Sequence, residues 1–128
     1  MSKPIDDIAK YLQANNIGTL KTDLFETYQP DKPDACIAIL DTGGFEPDSY
    51  LPTGDPTFQI LVRSIDYTTG KAKVDAIVNL LHLKANIQLV TDGVYFYYIK
   101  LMQEPVHLGR DKNERDEFSI NLRTHIRR

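Results

Sequence analysis

Glu117-Phe118-Ser119-Ile120-Asn121-Leu122-Arg123-Thr124-His125-Ile126 decides what kind of fold this chain can adopt. Phe118, Ile120, Leu122 and Ile126 share one parity, and Glu117, Ser119, Asn121, Arg123 and His125 share the other. Successive side chains of a strand point to opposite faces, so the run carries an apolar row on one face and a polar row on the other. Such a strand suits an antiparallel sheet packed on a core through one side only. The rest of the chain must supply its neighbours and something apolar to lie across the buried face.

Neighbours are present upstream. Residues 57–65 set Phe58, Ile60 and Val62 against Gln59 and Arg63, with Leu61 interrupting the pattern. Residues 94–103 hold Val94-Tyr95-Phe96-Tyr97-Tyr98-Ile99, apolar or aromatic on both faces, which suits a central strand or one half covered by a partner subunit; Pro105 ends it. Asp92-Gly93 joins this run to residues 87–91 and predicts a hairpin, because both residues tolerate positive φ. Shorter strands are expected at 23–28 and 36–41, separated by Pro30 and Pro33.

Two segments have helical period. Ile5, Ile8, Ala9 and Leu12 predict a helix over residues 4–16, with Pro4 at its first position, Asp6 and Asp7 in its first turn and Gly18 as its stop. Val74, Ile77, Val78 and Leu81 predict another over 67–83, N-capped by Asp66 and weakened by Gly70. Only the second provides a helical crossover. The order α-β-β-β-α-β-β-β predicts one α+β domain over residues 1–128: a mostly antiparallel sheet of about five to six strands with two helices packed on one face.

Composition removes several function classes. A net charge of −3 and a pI near 5.5 give no broad basic footprint for specific nucleic-acid binding. The locally basic end, Arg123, His125, Arg127 and Arg128, reads as a solvated strand face and a frayed terminus. The lone Cys36 lies in an apolar strand and reads as a buried thiol. His82, His107 and His125 have no ligand spacing, so neither metal nor cofactor is expected. The absence of a signal peptide and of a membrane-length apolar run predicts synthesis in a reducing cytoplasm, away from membranes.

Ala38-Ile39-Leu40-Asp41-Thr42-Gly43 resembles the catalytic loop of retroviral-type aspartic proteases, and Leu108-Gly109-Arg110-Asp111 resembles their second motif. In such a homodimer Asp41 of each subunit would share a proton between close carboxylates. The surroundings disagree. Lys112-Asn113-Glu114-Arg115-Asp116 is polar where the proteases have an apolar helix, and residues 44–65 hold prolines instead of a glycine-rich flap. Asp41-Thr42-Gly43-Gly44 then reads as a strand-ending turn. It opens the first of two long loops, 42–56 and 104–116, of a length that is usually functional.

Taken in order, further segments resemble a different family. Ile39-Leu40-Asp41-Thr42-Gly43-Gly44, Pro56-Thr57-Phe58-Gln59-Ile60-Leu61-Val62-Arg63, Asp66-Tyr67, Asn79-Leu80-Leu81-His82, Leu108-Gly109-Arg110-Asp111 and Glu117-Phe118-Ser119-Ile120-Asn121-Leu122-Arg123 are similar to the phage minor capsid family, read as siphophage tail terminators. The resemblance accounts for both protease-like motifs without proteolysis. It implies an α+β structural protein of the virion, assembled in the host cytoplasm and placed at the tail–head junction. It also implies a homo-oligomeric ring, usually a hexamer, that caps the tail tube, stops its polymerisation and docks the head connector. No catalytic residue or cofactor comes with it. Aromatic residues and Arg are enriched at interfaces, so Arg63, Tyr95, Tyr97, Arg110, Asp111 and Arg123 are the expected subunit or partner contacts. Arg110 could equally pair with Asp111 or Asp116. The alternatives are a neck protein that joins head to tail, and the homodimeric protease using Asp41.

Overall fold

The computed structural model describes residues 3–46 and 50–127; Pro47 of the expected turn-rich loop and Arg128 of the basic end lie outside the described residues, as do Met1 and Ser2. Among the described residues the order is α1 (Pro4–Ala14), β1 (Leu24–Glu26), β2 (Cys36–Phe45), β3 (Thr53–Ser64), α2 (Tyr67–Leu81), β4 (Lys84–Gln88), β5 (Tyr95–Leu101), β6 (Val106–Arg110) and β7 (Asp116–Arg127). The strands form one sheet in the order β1-β2-β3-β7-β5-β4, and β6 pairs with β7 beyond the end of β5. All pairs are antiparallel except β1 with β2. The fold is α+β, as expected, with β6 as the additional strand.

Strands β3 and β7 hold one register from Ser64↔Asp116 to Thr53↔Arg127 and form the spine of the sheet. Because cross-strand partners share a face, Phe58 joins Leu122, Ile60 joins Ile120, and Val62 joins Phe118 in one apolar layer. Ile37 and Ile39 from β2, with Phe96 and Ile99 from β5, extend the layer. Both helices cover it. Ile5, Ile8, Ala9 and Leu12 of α1 pack over β1 and β2, while Val74, Ile77 and Leu81 of α2 pack over β3, β7 and β5. Each fully buried side chain of this size contributes about 1.5–3 kcal/mol over an exposed one.

The ends of the helices follow from single residues. Asp66 accepts the Thr69 N–H at 2.7 Å and caps α2. Asn16, at φ 61°, takes the left-handed position after α1, and Ile17 N–H reaches back to Leu12 O at 3.0 Å, so the stop comes two residues before Gly18. Asp7 is fully buried and accepts the Val94 N–H at 2.7 Å. It ties α1 to the turn between β4 and β5. That connection is longer than a two-residue hairpin. Asp92 has the expected positive φ, but Leu89 tucks into the core and Gly93 N–H closes a turn on Val90 O at 3.1 Å.

Both expected long loops are partly strand. Asp41-Thr42-Gly43-Gly44 does not end β2: the register shifts by one residue between Asp41 and Gly44, and the strand continues to Phe45. It is a bulge, in which glycine at positive φ absorbs the extra residue. Residues 106–110 likewise form β6, with its own shift before Gly109.

Candidate functional site: the open face of the sheet

The face of the sheet opposite the helices carries the odd-numbered residues of β7 and their cross-strand partners. Thr57 pairs with Arg123, Gln59 with Asn121, and Lys100 with Arg123 from the other side. Two bulges enrich this face. In β2, strict alternation would send Phe45 toward the helices; the shift at Gly44 pairs it with Asp55 and places its ring under the Arg123 guanidinium, 4.1 Å from centroid to Cζ. In β5, the shift between Phe96 and Tyr98 brings Tyr97 and Tyr98 both against His125, with ring centroids at 5.2 and 5.6 Å. Tyr95 lies beside Tyr97 at 5.2 Å.

Three cations on this face rest on aromatic rings. Arg123 covers Phe45, Arg127 lies 4.7 Å from Tyr95 and 5.8 Å from Tyr97, and Lys100 lies 5.2 Å from Tyr98. A cation over a ring face is attracted by the quadrupole, worth roughly 0.5–1 kcal/mol where exposed. Arg127 Nε also donates to Tyr97 Oη at 3.3 Å. The neighbouring carboxylate, Asp55, bonds His125 Nδ1 at 2.9 Å. Arg123 Nε is buried and has no hydrogen-bond partner.

Of the six expected contact residues, Tyr95, Tyr97 and Arg123 therefore share this patch. Arg63 does not. It is 5% exposed and donates to the backbone carbonyls of Asp34, Pro30, Asp31 and Pro33 at 2.6–3.1 Å. A guanidinium with five donors in a plane suits such a cluster of carbonyls. Arg63 anchors the loop between β1 and β2. Arg110 is exposed on β6; it donates to Glu114 O at 2.8 Å and lies 3.9 Å from Asp116. Asp111 organises the β6–β7 turn, accepting the N–H groups of Asn113 and Arg115 and the Arg115 Nε. The Arg115 backbone N–H is the main cause that holds its carboxyl below the usual carboxylate range.

Sequence reading took in Tyr98 only as part of the aromatic run Tyr95–Tyr98, and it missed Phe45, Lys100, Arg127 and Arg115. Arg115 is buried and pairs with Asp111 at 2.8 Å, Asp31 at 3.0 Å and Asp34 at 3.3 Å, joining the β6–β7 turn to the loop that Arg63 holds. It sits in a polar run that looks solvated. The signal for Arg127 was available, because the alternation that defines β7 puts it on the side of Arg123 and His125; Lys100 reaches that face only through the shift in β5 between Phe96 and Tyr98.

Asp41 is exposed at the sheet end, and its neighbour Thr42 spends its hydroxyl on Thr57 Oγ1 at 2.7 Å. A cleft of about 190 Å³ lies among β2, β3 and the start of α2. Its charged lining is committed: Lys73 Nζ to Ile17 O at 3.0 Å, Asp23 to Thr19 N–H at 2.6 Å, and Arg63 to its loop. Among the described residues no three His, Cys, Asp or Glu side chains cluster as metal ligands. No helix there is long and apolar enough to cross a membrane.

Comparison with known proteins agrees with this picture. Among solved structures, a chain of the virion of a native gene transfer agent particle superposes with a TM-score of 0.63 over 99% of this chain and 100% of that one, at 14% identity, which establishes a shared fold. No curated protein matches the chain. The profile described as bacteriophage tail terminator protein matches residues 11–128, from within α1 to the last residue. The chain belongs to the bacteriophage tail terminator family, a family of structural tail proteins and not of enzymes.

Proposed function

We propose that this chain ends tail growth: copies of it close into a ring, of six in the commonest arrangement, on the last layer of the tail tube, block further tube subunits and offer the head connector a docking surface. The family match over residues 11–128 carries this reading. The physics of the fold is compatible with it. One face of the sheet is sealed by both helices, while the other bears aromatic and cationic side chains of the kind enriched at protein interfaces. A ring needs two different patches per subunit, each meeting the other on the next copy. Tyr95, Tyr97 and Arg123 on the open face, and Arg110 with Asp111 on the β6–β7 turn, are the proposed contacts.

The test is to add purified chain to polymerising tail-tube protein. Tube growth should stop in proportion to the chain added, with one end of each tube visibly capped. Tubes that elongate at an unchanged rate with bare ends would exclude the terminator role.

A further inference from the structure

We infer that the cationic strip of the open sheet face receives carboxylates from a second copy of this chain, so that copies associate face to acidic surface. This rests on the ring reading above and names the chemistry of one of its contacts.

Three observations carry it. First, Lys100, Arg123 and Arg127 all lie on one face, and each is held over a ring: Tyr98, Phe45 and the Tyr95–Tyr97 pair respectively. Among the described residues none of the three has a carboxylate within ion-pair distance, whereas Lys32, Lys71, Arg110 and Arg115 all do. Asp55, the cross-strand partner of Phe45, is engaged by His125. Second, stacking fixes a guanidinium in place while leaving its in-plane donors free for a carboxylate. Lys100 and Arg127 are exposed, so theirs are the donors that a second copy can reach. Third, the chain carries a net charge of −3 with these three cations included, so the surface away from the strip is its acidic part. A second copy therefore brings the complementary charge, in a contact between unlike patches.

The same strip is poorly suited to a nucleic-acid strand. Bases stack on free aromatic faces, and these rings are already covered by cations. A polyanion would also meet the net negative charge of the chain.

The experiment measures the mass of the purified full chain by sedimentation at rising protein concentration in 50 and 500 mM salt. The variant Lys100→Glu/Arg127→Glu reverses the exposed part of the strip, and Lys10→Glu/Lys71→Glu, on α1 and α2, controls for the same added negative charge. Thermal melts confirm folding, and Arg127→Gln serves if the double variant does not fold. The wild type should self-associate, with its dissociation constant rising roughly tenfold or more at the higher salt. The strip variant should lose at least as much at low salt, and Lys10→Glu/Lys71→Glu should stay within about twofold of the wild type. A wild type that is monomeric throughout overturns the inference, as does association that survives reversal of the strip or falls equally in the control. An oligonucleotide bound by the wild type and released by the strip variant would also overturn it. A chain that caps tubes yet stays monomeric when free keeps the terminator reading and sinks only this one.

Discussion

At Gly44 the backbone runs at φ 145°, and a Cβ there would lie 2.8 Å from Pro56 Cα and closer still to the Asp55 carbonyl. No other residue fits the bulge without moving β3. Gly44→Ala should destabilise the protein by about 1–3 kcal/mol and loosen Phe45 from Arg123, read from a lowered melting temperature and a changed Arg123 side-chain signal in NMR. Glu26 poses a different residue-scale question. Burial first, and then the adjacent Asp6 carboxyl, push its pKa up to about 7. A folded pKa above the ordinary 4.5 means the native state holds the proton more tightly. Stability from this site is thus complete below pH 4.5 and is lost as pH rises through 7. Glu26→Gln should remove that slope, so that the variant gains on the wild type between pH 5 and pH 8 in urea titrations. An equal slope in both proteins would assign the effect elsewhere.

Elements of this fold meet through a few close approaches. In α2, Gly70 sits so near Ser64 and the Phe118 ring that a Cβ would reach within 3.0 Å of Ser64 Cβ and strike the ring. Helix propensity alone would favour alanine there by about 1 kcal/mol. Overpacking a buried ring costs about 1–3 kcal/mol, so Gly70→Ala should be net destabilising in denaturant melts. The loop between β1 and β2 depends on Arg115 in the same way. Its Asp34 and Asp111 carboxyls are both held below the usual range, Asp34 by Lys32 first and then Arg115, Asp111 by the Arg115 N–H first. Their contribution is present above pH 4 and is lost as pH falls below it. Arg115→Met should therefore keep most of that acid limb, because Lys32 and the residue-115 N–H remain, while denaturant melts at neutral pH should show a loss of stability from the broken link between the β6–β7 turn and the β1–β2 loop. Elements were the most legible level of the sequence. The strict alternation of β7, the stripes of α1 and α2 and the Asp66 cap each have a local cause, and each stands where its period put it. The bulge at Gly44 and the strand at 106–110 were not legible, because a register shift is decided by the neighbouring strand. The contact patch was half legible. Tyr95, Tyr97 and Arg123 stand out by residue type, but Phe45 joins them only through the bulge, and Arg63 was drawn inward by carbonyls distant in sequence.

On the scale of the whole molecule, the division of faces matters most. Both helices seal one side of the sheet, and the other presents aromatic rings and unpaired cations. The protease-like triplet becomes part of that surface's construction, since Asp41-Thr42-Gly43-Gly44 delivers Phe45 to it. Asp41→Ala should accordingly change stability by no more than about 1 kcal/mol and leave tail assembly intact. The most direct test is the length of tails formed in infected cells when this chain is absent, measured by electron microscopy. Tails of uncontrolled and excessive length, restored to one length by supplying the wild-type chain, are the predicted result. Tails of normal length that fail to join heads would contradict termination and point to a neck protein instead.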